Sequence, residues 1–99
     1  MTDGHTPARH ACNAVDASFL DTAPVRGEAV REFDVDAARV FARLADPDAW
    51  STWVPMIRRV GWTSAPPHGP GSTRSVWMRG GVQVDETFFA WEPDRRMAF

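Results

Sequence analysis

Ser75 and Glu86 are the polar residues best placed to do chemistry in this 99-residue chain. Residues 72–79 and 82–91 read as the arms of a hairpin around Gly80-Gly81. With those two glycines as the loop, Met78 faces Gln83, Trp77 faces Val84, Ser75 faces Glu86 and Thr73 faces Phe88. Side chains alternate along a strand, so one face carries Thr73, Ser75, Trp77, Val82, Val84, Glu86, Phe88 and Ala90. Glu86 is the one ionisable residue on that face, which is therefore taken as the inner one. The other face carries Arg74, Val76, Met78, Gln83, Asp85, Thr87, Phe89 and Trp91, with Arg74 and Asp85 expected as a solvated ion pair of little energetic weight. An inward carboxyl in an apolar cavity is destabilised as an anion by desolvation and can serve as an acid or base. The structural reading, in which Ser75, a water or an arginine satisfies Glu86, is favoured over the catalytic one.

Other candidates carry less. His5, His10 and Cys12 could be imagined as metal ligands, but a structural zinc site normally needs four. No metal site and no cofactor is expected. His68 lies in the loop Ala65–Gly71, dense in Pro and Gly, and reads as an exposed loop histidine. No nucleophile motif, phosphate-cradling glycine loop or metal-ligand cluster is present, so no catalytic residue is assigned.

The elements that must position these residues start with a helix. Asp36 is a suitable N-cap, and Ala37, Val40, Phe41 and Leu44 then recur as one apolar stripe, with Arg39 and Arg43 opposite. Asp46-Pro47 stops that helix and suits the start of a short second one over Asp48–Trp53. Trp50 and Trp53 share a face of it and must bury against the core or a ligand. Before the helix, Val25, Ala29, Phe33 and Val35 alternate with Arg26, Glu28, Glu32 and Asp34, which predicts a half-buried strand. After it, Met56–Ser64 predicts another, with Met56, Val60 and Trp62 on one side; Arg58 breaks that side, which leaves turn as the alternative for its first residues. Glu92-Pro93-Asp94-Arg95 is a turn leading into a strand from Arg96.

Composition narrows the function classes. The chain has 43% hydrophobic and 24% charged residues, ordinary for one small globular domain. Its net charge of −2 argues against a nucleic-acid binder. Its single cysteine forbids an internal disulfide, and no apolar run approaches a membrane span or a signal core. A cytoplasmic location is expected.

Taken in order, VFARLADPDAW, STWVP, GPGSTRSVWMRGG and DETFFAWEPDRRMAF resemble the helix-grip (START/Bet v 1-like, SRPBCC) superfamily. The polyketide cyclase/dehydrase and lipid-transport group within it is the most similar, over Val25–Phe99. The resemblance implies an α+β fold in which an antiparallel sheet, preceded by N-terminal helices, encloses an apolar ligand. The later strands and the long C-terminal helix of that fold are lacking, so the chain is expected to be C-terminally truncated. Residues 1–24 are then a mobile leader, and 25–99 the N-terminal portion of a START/Bet v 1-like ligand-binding domain. Without the closing helix the inner face would be an apolar patch that a soluble monomer rarely tolerates. The chain would belong to a longer parent protein or self-associate through that face. The implied partner is a small hydrophobic molecule, lipid or polyketide-like, with Trp50, Trp53, Ser75, Trp77, Val84, Glu86 and Phe88 as its ligand-binding residues. The alternatives are a co-chaperone-like interaction module on the same fold and a polyketide cyclase/aromatase, with binding favoured over catalysis.

Overall fold

The computed structural model describes residues 9–99. His5 and the first eight residues of the expected leader lie outside the described residues. The elements, in order, are α1 (Phe19–Thr22), α2 (Ala37–Ala45), a 3-10 turn (Pro47–Ala49), α3 (Trp50–Trp53), β1 (Ile57–Trp62), β2 (Thr73–Met78), β3 (Gln83–Thr87), β4 (Ala90–Glu92) and β5 (Arg96–Ala98). The architecture is α+β. Strands β1, β2 and β3 form an antiparallel meander in that order, and β4 pairs with β5 in a separate two-stranded sheet.

The helical region follows its local signals. Asp36 occupies the N-cap of α2 in an extended conformation, but its carboxylate makes no capping bond. Its backbone carbonyl accepts from the N–H groups of Arg39 and Val40 instead. The capping carboxylate is Asp46, ten residues on, whose Oδ1 accepts from the Asp48 N–H at 2.9 Å where Pro47 opens the 3-10 turn. Val40, Phe41 and Leu44 are half-buried, so the apolar stripe of α2 is only partly covered. Part of that cover is Trp91 of β4, whose ring meets Phe41 edge-on at 5.3 Å.

The predicted strand over 25–35 does not form. The segment joins no sheet, and Val25, Val30 and Phe33 are 87, 71 and 65% exposed. Alternation is local, whereas a strand's hydrogen bonds come from a partner, and none of the described residues supplies one. In β1 the expected inner set, Met56, Val60 and Trp62, is also corrected. A bulge between Ile57 and Arg59 brings Ile57 and Val60 to the same face, although they lie three apart. Met56 is left 54% exposed.

The hairpin register is the largest correction. Thr73 pairs with Thr87, Arg74 with Glu86, Ser75 with Asp85, Val76 with Val84 and Trp77 with Gln83. The Met78 N–H donates to the Val82 carbonyl at 2.8 Å, so the loop is Arg79-Gly80-Gly81, three residues long. Both glycines have positive φ, 88° and 81°, a conformation other residues rarely adopt. One extra loop residue shifts the pairing by one and exchanges the faces of β2 relative to β3. Val84 and Glu86 therefore share their face with Arg74, Val76 and Met78, not with Ser75 and Trp77. The second arm is also broken, since β3 ends at Thr87 and Phe88 leads the chain into β4.

Ile57, Val60 and Val76 form the buried core, with Trp50, Val54 and Met78 packed against it. Phe88 is the most deeply buried large side chain, 1% exposed, where it bridges the two sheets. Its ring centroid lies 5.4 Å from Trp62, 5.3 Å from Trp91 and 5.0 Å from Phe99. His68 is not an exposed loop residue. It stacks on Trp62 at 3.8 Å and 13°, and its Nδ1 is buried with no hydrogen-bond partner among the described residues. The turn Glu92–Arg95 has Pro93 second and Asp94 third with φ 62°, as a type II turn requires.

Phe88→Ala should lower unfolding stability by about 3–5 kcal/mol, the cost of a cavity at a fully buried aromatic. Leu44→Ala, on the half-covered stripe, should cost about 1–2 kcal/mol, below the range for a fully buried leucine. Urea titrations followed by tryptophan fluorescence test both, and equal losses would contradict the packing described.

Candidate ligand cleft

The inner face of the meander is closed at one end by α3. Pro47 starts a tight turn, and the Trp50 indole N–H donates to the Leu44 carbonyl at 2.9 Å, which draws the end of α2 over the sheet. Between these parts lies a cleft of about 160 Å³. Its walls are Trp50 from α3, Ile57 from β1, Val76 and Met78 from β2, Val84 from β3 and Phe99 beyond β5. Its polar part is Arg74 and Glu86, directly paired across β2 and β3.

Arg74 is 2% exposed, an unusual position for a guanidinium. Its Nε donates to Glu86 Oε2 at 2.5 Å, and its Nη1 reaches the Leu44 carbonyl at 3.5 Å. The guanidinium carbon lies 4.4 Å from the Phe99 ring centroid, 4.7 Å from that of Phe88 and 5.0 Å from that of Trp50. Ring faces attract a cation, and the attraction is worth most where water is excluded, up to about 2 kcal/mol. Of the alternatives for Glu86, an arginine is its partner. Arg74 is not the solvated partner of Asp85.

The opposite face of the sheet is built differently. Trp77 lies across Gly61, where a Cβ would meet its ring at 3.6 Å, and the Arg59 guanidinium sits 4.0 Å from its ring centroid. The Ser75 hydroxyl donates to Asp85 Oδ1 at 2.7 Å. That bond first, then the one from Gln83, holds the Asp85 carboxyl below the usual carboxylate range. Asp85 also pairs with Arg9.

The expected ligand-binding residues thus divide. Trp50, Val84 and Glu86 line the cleft. Phe88 lies beneath it, against Arg74. Trp53 flanks Trp50 at 4.9 Å and is 48% exposed, outside the lining. Ser75 and Trp77 are on the other side of the sheet. The sequence reading missed Arg74, Val76 and Met78, all displaced by the register slip, as well as Ile57 and Phe99. The available signal was the pattern Arg74-x-Val76-x-Met78, two apolar residues in step with a charge able to meet Glu86.

A second, more open groove of about 420 Å³ runs between the stripe of α2 (Val40, Phe41, Leu44) and the β5 region, where Asp94, Arg95 and Arg96 make one wall. Arg95 and Arg96 both bond to Glu92, at 2.7 and 2.6 Å, so this wall is a solvated charge network. Among the described residues, no helix is long and apolar enough to cross a membrane.

Residues 24–99 match the family described as polyketide cyclase/dehydrase and lipid transport. Uncharacterized proteins of Mycobacterium bovis and of two Mycobacterium tuberculosis strains are each 44% identical to the chain over 90 residues. Those alignments cover 91% of this chain and 54% of each relative, so the chain spans about half the length of the curated relatives it matches. No solved structure is significantly similar to it. With a match over most of its length, the chain belongs to the polyketide cyclase/dehydrase and lipid-transport family.

Proposed function

We propose that the chain binds a small hydrophobic ligand in the cleft between α3 and the inner face of the β1–β2–β3 sheet, as the N-terminal portion of a longer parent protein. The observation that carries this reading is the cleft itself, in which six of the eight lining residues are apolar and the other two are paired with each other. Sites for small apolar ligands have this composition: a greasy wall with few polar groups, each placed to orient. The family's description, which covers polyketides and lipids, supports the same class. The size sets a scale. An apolar cavity of about 150 Å³ accepts a benzene ring, so a cleft of about 160 Å³ suits one ring or a short branched chain of a ligand.

Binding is favoured over catalysis. Glu86 is the one carboxylate in the cleft lining, and it is engaged by Arg74. Ser75, the hydroxyl expected opposite it, lies across the sheet beside Asp85. Among the described residues, the cleft presents no nucleophile with a neighbouring base.

Toluene titrated into the protein should shift the NMR signals of the Met78 and Val84 methyl groups, and the shifts should saturate. Val84→Trp, which fills the cleft from β3, should weaken that binding by about tenfold or more. Trp77→Phe, on the other face, should leave it unchanged. Equal behaviour of the two variants would move the site elsewhere. Capture of a protein segment with no uptake of toluene would favour the interaction module instead.

A further inference from the structure

The Arg74–Glu86 pair is only half used by the protein. Arg74 spends Nε on Glu86 Oε2 and Nη1 on the Leu44 carbonyl. Its Nη2 makes no hydrogen bond among the described residues, and neither does Glu86 Oε1. Both residues line the cleft, and the Arg74 side chain is 3% exposed against 17% for Glu86. One donor and one acceptor of this ion pair are thus left over on two residues that line an otherwise apolar space. Neither is among the fully buried side-chain atoms left without a partner, so both remain open to water or to a ligand entering the cleft.

We infer that this pair reads a hydroxyl on the ligand, an alcohol or phenol, and rejects a carboxylate. The inference rests on the cleft being the binding site. A hydroxyl oxygen accepts one bond and its hydrogen donates another. It can therefore accept from Arg74 Nη2 and donate to Glu86 Oε1 at once. A carbonyl uses only the arginine, and a hydrocarbon uses neither. A carboxylate could also accept from Arg74, but its charge would stand against that of Glu86, and the arginine is already neutralised at 2.5 Å. Aromatic walls from Trp50 and Phe99, together with the one-ring volume, make a monocyclic phenol the group of best fit. A site that hydrogen-bonds a substrate hydroxyl discriminates strongly against the analogue lacking it, because its own polar groups are otherwise left unpaired.

The test compares p-cresol, toluene and 4-methylbenzoate, which differ only in the polar substituent, by NMR titration of the full chain at neutral pH. The expected order is p-cresol about tenfold tighter than toluene, with 4-methylbenzoate weakest. Equal affinities for p-cresol and toluene, or a preference for 4-methylbenzoate, would overturn the inference while leaving the cleft as a binding site. Binding of none of the three would overturn the proposed function itself. Glu86→Gln keeps the side-chain shape and removes the charge opposite Arg74. It should raise the affinity for 4-methylbenzoate above its wild-type value, and an unchanged or lower value in the folded variant would again overturn the inference. The wild-type comparison decides the question if that variant does not fold.

Discussion

A guanidinium withdrawn from water must be given both a counter-charge and hydrogen-bond acceptors, or its desolvation outweighs what burial gains. Arg74 meets both demands with groups drawn from along the chain. Glu86 supplies the charge from β3, Leu44 supplies a carbonyl from the end of α2, and three rings supply polarisable faces. The pair ties β2 to β3 at one register, because a slip of one residue would bring Asp85 or Thr87 opposite Arg74 and send Glu86 to the other face. It also ties the sheet to the helical segment, since the Leu44 carbonyl accepts from both Arg74 and Trp50. Removing one member of such a buried pair typically costs about 3–5 kcal/mol, because the other is left uncompensated.

That arrangement places polarity where an apolar fold has few means of doing so. The rest of the inner face is aliphatic and aromatic, and orientation of a ligand there would be loose. One fixed ion pair at the end of the cleft adds direction without adding net charge. Phe88 supports the arrangement from below. It is not part of the cleft lining, yet it packs against Arg74 and against the rings of Trp62, Trp91 and Phe99. The second sheet, β4–β5, is coupled to the cleft through it.

The legible parts of the sequence were those with short-range causes. The stripe of α2, the stop at Asp46-Pro47, the short helix bearing Trp50 and Trp53 and the turn at Pro93-Asp94 all depend on residues within a few positions of one another. The family resemblance rested on the order of those same pieces. Of the expected site, Trp50, Val84 and Glu86 lie in the cleft wall. Where the reading failed, the cause was non-local or turned on a single residue. Counting Arg79 as strand rather than loop moved Ser75 and Trp77 to the wrong side. The bulge near Arg58 moved Met56 out and Ile57 in. The alternation over 25–35 was real, but it has no pairing partner among the described residues.

By itself the sequence determined the helices and turns, the presence of a hairpin after the Pro-Gly loop, and membership in a family whose description names polyketides and lipids. These follow from propensity, capping and the order of elements, all written along the chain. Only the tertiary structure decided which face of β2 is inner and which of Arg74 and Ser75 meets Glu86. The physical reason is that strand side chains alternate with a period of two. A pattern fixes two sets of residues but not which set faces the core, until the loop length and the partner's charge are known.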